Sequence, residues 1–266
     1  MNRIDKKFQE LKAKGKKALI VYMTAGDPSL AKNEELIYAF EKDGVDLIEL
    51  GVPFSDPLAD GPVIQAASGR AIGRGTTLSK ILALVKVVRI NSQVPILLMS
   101  YLNPILSYGL KKFVSDARKV GVDGVIIPDL PPDEGKEISK LMREAKLCLV
   151  YLLAPTSTDK RIAMITKEST GFVYYVSLTG VTGLRNAPPT LNHENIKKAQ
   201  RSGGLPVCVG FGISEPKHAK AMSKDADGVI VGSALVKALH ENSKMRATQF
   251  SKKFVRPFVL ALRSGS

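Results

Sequence analysis

The chain has 266 residues, 44% of them hydrophobic and 24% charged, with no tryptophan and two cysteines. That balance excludes a disordered chain, a fibrous repeat and a disulfide framework, and no apolar run nears the ~18 residues of a membrane span. Thirty-nine Lys and Arg against 25 Asp and Glu leave a net charge of +14, yet no aromatic interleaving or zinc spacing accompanies it, so neither a nucleic-acid nor a membrane partner is expected.

Met1–Lys7 has no apolar stretch behind its charges, so no secretory signal is expected there. Cys148 and Cys208 each sit inside an apolar run and read as buried thiols of a reducing, cytoplasmic compartment. The first segment is basic, with Lys6, Lys7, Lys12, Lys14, Lys16 and Lys17, and is expected to add an extra N-terminal helix. Apolar strand candidates then follow at Ala18–Met23, Asp46–Leu50, Val94–Ser100, Gly124–Ile127, Leu147–Leu152, Phe172–Val176, Pro206–Gly210 and Gly228–Val231. Several are almost continuously apolar, as strands covered on both faces are. Amphipathic stretches separate them, among them Asn33–Lys42, Leu110–Val120, Asp133–Ala145 and Asp159–Thr166. Eight such units of about 33 residues predict an α/β fold, a single-domain (β/α)8 TIM barrel spanning residues 1–266. A doubly wound open sheet is the alternative arrangement of the same pattern. One design recurs at Gly44–Leu50, Gly121–Ile127 and Asp225–Val231: a helix stop, an Asp, then an apolar strand.

Chemistry in such a barrel gathers at the C-terminal ends of the strands. In the second run, alternation puts Leu47 and Glu49 on one face and Ile48 and Leu50 on the other. Glu49 then points into the barrel, where lost hydration raises its pKa toward that of a general acid/base. No basic residue shares its strand, which speaks against a simple ion pair. The loop that follows carries Pro53, Asp56, Pro57, Asp60 and Pro62, and reads as a functional lid with hinges at Gly51 and Gly61. Asp60 precedes a helix over Val63–Ile72, so it reads either as an N-cap or as a working carboxylate; Asp56 reads as a cap or a partner contact. Asp27, before Pro28, reads as an N-cap.

Tyr174 shares a face with Phe172 and Val176 and reads equally as core or as site. Asp129, at the top of the fourth strand, is expected to support the site. Glycines mark three late strand ends: Thr179–Gly183, Gly210–Ser214 and Gly232–Ala234. They let backbone N–H groups approach an anion, and a helix beginning at Ser233 aims its positive end there, which predicts a phosphate site. His193, His218 and His240 lie away from strand ends and no metal-ligand spacing occurs, so no metal is expected. Lysines are absent from the strand interiors, which speaks against Schiff-base chemistry.

The run Ile48–Pro62 closely resembles the motif of tryptophan synthase alpha chains. Support extends to Thr24–Pro28, Met99 to Pro104, Pro128–Pro131, Ser177 with Gly180–Gly183, Gly210–Ile213 and Gly232–Ala234. The resemblance implies a lyase that cleaves indole-3-glycerol phosphate to indole and glyceraldehyde 3-phosphate, with Glu49 and Asp60 as catalytic residues. It implies that Tyr174, Thr182, Gly183, Phe211, Gly212, Gly232 and Ser233 bind substrate, supported by Tyr22, Tyr101 and Asp129. It further implies no cofactor in this chain, and a beta chain holding pyridoxal phosphate as partner in an alpha2-beta2 assembly. Pro53, Asp56 and Pro57 would lie on the loop that meets that partner. A free-standing lyase or a catalytically weak regulatory subunit would share most of these residues. Two features depart from the family pattern: the high positive charge, and Ser100 where glycine is common.

Overall fold

Strands covered on both faces are short and apolar, and the strands among the described residues follow that pattern, with Glu49 in β2 the charged exception. In chain order the elements are α1 (Arg3–Ala13), β1 (Ala18–Thr24), α2 (Leu30–Asp43), β2 (Leu47–Gly51), α3 (Pro62–Gly73), α4 (Leu78–Val88), β3 (Ile96–Met99), α5 (Leu102–Tyr108), α6 (Leu110–Val120), β4 (Gly124–Ile126), α7 (Lys136–Glu144), β5 (Cys148–Val150), β6 (Leu152–Leu153), α8 (Asp159–Glu168), β7 (Val173–Val176), α9 (His193–Gly203), β8 (Val207–Gly210), α10 (Pro216–Met222), β9 (Gly228–Val231), α11 (Ser233–Glu241), α12 (Ala247–Phe250) and α13 (Arg256–Arg263). The computed structural model describes residues 1–176, 192–210 and 212–263. No helix among them is long and apolar enough to cross a membrane.

The strands pair in the order β5-β4-β3-β2-β1-β9-β8-β7-β6, and each pairing is parallel. The two ends of that order, β5 and β6, are separated in sequence by Tyr151 alone, whose carbonyl accepts from the Tyr174 N–H at 3.2 Å. The sheet therefore meets itself, which overturns the open-sheet alternative. The expected single strand Leu147–Leu152 is two short ones, β5 paired with β4 and β6 paired with β7. Closure tilts and staggers neighbouring strands, so this stave finds one partner along its lower half and the other along its upper half.

Alternation sorts the strand residues into two layers. Ala18, Ile20, Leu47, Leu97, Ile126 and Ile230 fill the lumen, while Ile48, Leu50, Leu98 and Val229 pack outward against helices. Ile4, Phe8 and Leu11, spaced to share one face of α1, close the barrel floor beneath that lumen. Both cysteines are free and buried in the same layer.

The recurring Asp-strand design has a specific physical basis. Asp46, Asp123 and Asp227 each precede a strand, and each carboxylate accepts the first backbone N–H groups of the neighbouring strand: Leu19 at 2.8 Å, Ile96 at 2.9 Å and Val207 at 2.9 Å. The backbone N–H of each Asp returns a bond to the carbonyl of the same residue, at 3.0, 2.9 and 2.8 Å. These reciprocal pairs set the register at the N-terminal ends of the strands. The N-cap of α2 is Ser29, whose Oγ accepts from the Lys32 N–H at 3.1 Å, rather than Asp27. The buried Asp27 carboxylate receives Arg70 at 3.0 and 2.6 Å and Arg74 at 3.1 Å, so it ties the β1 loop to α3.

Candidate active site

Glu49 lies in β2 with its strand neighbour Leu47 in the lumen, and only 1% of it is exposed. Among the described residues its Oε2 has no hydrogen-bond partner. A carboxylate in that position loses water without gaining a cation, so its neutral form is favoured. Burial pushes the Glu49 carboxyl up to about 8, and the nearby Asp60 charge pushes the same way.

Asp60 is also buried, and burial raises its carboxyl to about 6, opposed by a hydrogen bond from Tyr101. The capping alternative for Asp60 falls away, because the N-cap of α3 is Gly61 and no side chain caps that helix. Its backbone is held instead: the Asp60 N–H donates to the Pro57 carbonyl at 3.0 Å, and the Gln65 side-chain amide donates to the Asp60 carbonyl at 2.8 Å. Near neutral pH the two carboxyls therefore differ in state, Glu49 mostly protonated and Asp60 mostly ionised. Pushing two carboxyl groups apart in this way separates an acid from a charge-stabilising base.

Tyr101 joins the loop to the barrel. It follows β3, its hydroxyl accepts the Ala59 N–H at 2.8 Å, and its ring lies 5.4 Å from that of Phe54. The Asp129 carboxylate accepts the Leu102 N–H at 2.9 and 3.2 Å, fixing the start of α5 directly behind Tyr101. Asp129 is exposed and reaches the site through that helix start. Ser100 is buried, and its hydroxyl donates to the Tyr101 carbonyl at 3.0 Å. Of the expected partner-loop residues, Asp56 is exposed while Pro53 and Pro57 are half-buried, and the adjacent Leu58 is 90% exposed.

Two glycines make room for two tyrosines. A Cβ on Gly51 would lie 2.0 Å from the Tyr22 hydroxyl, and one on Gly210 would lie 2.3 Å from the Tyr174 hydroxyl. Gly51 is thus the last residue of β2 and a gap for Tyr22, rather than a hinge, and Gly61 has an extended φ of −81°. Tyr22 and Tyr174 are both buried, and each hydroxyl is held well above its ordinary pKa, chiefly by burial and further by the Glu49 and Asp60 charges. Tyr22 also packs with Ile64 and Ala67 of α3 and Val236 of α11, an apolar wall that the sequence reading missed. Its only signal was the spacing of Ile64 and Ala67 on one face of α3.

At the late strand ends, Gly232 precedes α11 with no side-chain cap, and Ser233 is the first helical residue. The first turn, whose Leu235 and Val236 N–H groups donate to the Gly232 carbonyl at 2.9 and 3.1 Å, presents the positive end of the helix to the barrel mouth. Gly212 has φ +74°, a left-handed conformation that favours glycine. Three expected site residues, Thr182, Gly183 and Phe211, lie outside the described residues. So does the Ser177–Pro189 loop.

The family model described as "Tryptophan synthase alpha chain" matches residues 8–259. A tryptophan synthase alpha chain of Geotalea daltonii is 51% identical over 243 residues, covering 91% of this chain and 92% of that protein. The crystal structure of the tryptophan synthase alpha chain from Legionella pneumophila superposes with a TM-score of 0.90 at 38% identity, covering 100% of this chain and 99% of that one. A structure of Mycobacterium tuberculosis tryptophan synthase contains a chain with a TM-score of 0.89 at 35% identity, covering 99% of each.

Proposed function

The chain belongs to the tryptophan synthase alpha chain family, lyases that cleave indole-3-glycerol phosphate to indole and glyceraldehyde 3-phosphate, and we propose that Glu49 and Asp60 carry this cleavage. The observation that supports the assignment is the pair itself: two buried carboxyls, with no paired cation among the described residues, raised to about 8 and about 6. Neutral Glu49 gives its proton to indole C3, which turns the ring into an electron sink. Positive charge develops at the ring nitrogen, whose N–H donates to ionised Asp60. The Glu49 carboxylate then takes the proton of the glycerol hydroxyl next to the breaking bond. The hydroxyl oxygen forms the aldehyde, the carbon–carbon electrons return to C3, and Glu49 is again neutral.

Tyr22, Ile64 and Val236 offer an apolar wall to the indole, and Tyr174 lies on the glycerol side. The start of α11, with Gly232, Ser233 and the left-handed Gly212, anchors the phosphate; Thr182, Gly183 and Phe211 are assigned to substrate binding by the family resemblance alone. Binding the phosphate far from the breaking bond holds the indole against the carboxyls in a reactive pose.

Indole passes to a beta chain, which holds pyridoxal phosphate and makes tryptophan, while this chain carries no cofactor. Pro53, Asp56 and Pro57 form part of the contact, the assembly is alpha2-beta2, and its location is cytoplasmic. Docking there reaches the site directly, because the same loop ends in Asp60 and is fastened to Tyr101. The test is indole release from indole-3-glycerol phosphate by the purified chain, alone and with a beta chain. Slow release that rises strongly with the partner supports the subunit reading. Fast release without a partner favours a free-standing lyase, and substrate binding without release in either condition leaves a regulatory subunit.

A further inference from the structure

The opposite mouth of the barrel carries a feature that the cleavage does not use. A cleft of about 730 Å³ opens between α1 and the segments leading into β1, β7, β8 and β9. Its residues precede strands rather than follow them: Lys16 and Lys17 stand before β1, Leu205 and Pro206 before β8, and Asp227 before β9. It therefore lies at the N-terminal ends of the strands, whereas Glu49 and Ser233 serve the C-terminal ends. The facing wall is a stripe of α1 with Asp5, Phe8 and Lys12 at helical spacing.

The charges there are not balanced within the fold. Among the described residues, Lys12, Lys16 and Lys17 form no ion pair, although Lys7 nearby meets Glu10. The cleft's own carboxylates, Asp5 and Asp227, offset only part of that charge, three lysines against two, and Asp227 is held in place by the Val207 N–H and the Gln200 amide, each at 2.9 Å. Phe8, Leu205 and Pro206 add an apolar surface between the lysines and the floor. A volume of several hundred Å³, mixed apolar walls and a few converging polar groups are the marks of a small-molecule site.

We propose that this cleft binds a nucleoside diphosphate. The diphosphate lies among Lys12, Lys16 and Lys17, whose flexible stems gather several phosphate oxygens. The base lies against Phe8, Leu205 and Pro206, and the Asp5 carboxylate accepts from a ribose hydroxyl or a base amino group. An anion without a ring leaves the apolar wall unused, and a ring without phosphates leaves the excess of lysines over carboxylates unmet.

The experiment is calorimetric titration of the full chain with ADP, beside inorganic pyrophosphate. One saturable site per chain is expected, with pyrophosphate at least about tenfold weaker. Lys12→Ala with Lys16→Ala weakens ADP at least about tenfold, whereas Lys6→Ala with Lys14→Ala, which removes equal charge outside the cleft, changes it less than about twofold. Leu205→Glu abolishes ADP binding from the opposite wall without touching α1. Indole release by the Lys12/Lys16 double variant stays at the wild-type rate, which separates this site from the catalytic one. Equal weakening by both lysine pairs identifies diffuse attraction to a +14 surface and overturns the proposal. So does pyrophosphate binding as tightly as ADP, or an absence of saturable binding.

Discussion

Two sets of buried carboxylates in this barrel are treated in opposite ways. At the N-terminal end, Asp123 receives Arg3 at 3.0 Å, Arg89 at 2.7 Å and the Ile96 N–H at 2.9 Å, while Asp46 receives Arg263 at 2.8 Å and the Leu19 N–H at 2.8 Å. At the C-terminal end, Glu49 and Asp60 are buried to a similar degree, yet burial dominates their surroundings, and at Glu49 the Asp60 charge adds to it. A carboxylate whose charge is neutralised and hydrogen-bonded fastens the fold; one whose charge is left exposed to its own desolvation keeps a proton available for chemistry. The same residue class does structural work at Asp46, Asp123 and, on the mouth side, Asp27, and reactive work at Glu49 and Asp60.

The largest way to break this contrast is to remove the reactive carboxyls. Glu49→Gln and Asp60→Asn are each expected to lower indole release by about 10²–10⁴-fold with the fold intact, measured by steady-state assay and circular dichroism. Asp123→Ala attacks the other end. It strands the Arg89 guanidinium, whose side chain is only 9% exposed, and is expected to cost about 3–5 kcal/mol in chemical denaturation.

The third prediction concerns pH and turns on sign. The Glu49 carboxyl is raised in the folded protein to about 8 from an ordinary 4.5, so the unfolded chain releases this proton first. Its stabilising contribution is complete below about 4.5 and is lost as pH rises toward 8. Between pH 5 and pH 8 the loss amounts to about 3.5 kcal/mol as an upper bound. Glu49→Gln removes it, so the variant should gain stability relative to wild type as pH rises across that window. A difference that stays flat with pH would mean that Glu49 is ionised in the folded state.

The smallest effect sharpens the pairing of the two carboxyls. The kcat/KM profile should need Asp60 ionised and Glu49 neutral, giving a bell between about 6 and about 8. Tyr101 lowers the Asp60 pKa through its hydrogen bond, so Tyr101→Phe should move the acid limb to higher pH by about 1 unit. The alkaline limb, set by burial of Glu49, should move less.

Much of this was legible in the chain because strand alternation and apolar runs are local properties. Glu49 two residues from Leu47 had to share its face, and the three Asp-strand repeats announced a common device before its hydrogen bonds were visible. The Leu110–Val120 helix coincided with its sequence pattern, since its apolar spacing and its Gly121 stop are both local. The resemblance of the Ile48–Pro62 run to a known motif supplied what local patterns do not, the pairing of Glu49 with Asp60.

Other features were settled only when distant segments met. Barrel stagger split the fifth strand around Tyr151, and no feature of Leu147–Leu152 encodes which neighbour each half will find. Asp27 looked like a cap because its partners, Arg70 and Arg74, are more than 40 residues away. Gly51 reads in sequence as a loop hinge and Gly210 as part of an anion-binding strand end, yet their missing side chains are spaces for Tyr22 and Tyr174 on other strands. The order of elements, the face of each strand and the position of the reactive carboxyl were readable from the chain alone, because they follow from spacing along one backbone. Which carboxylates would gain a cation and which would lose water without one was decided by tertiary packing, because charge and solvation depend on what the rest of the chain brings near.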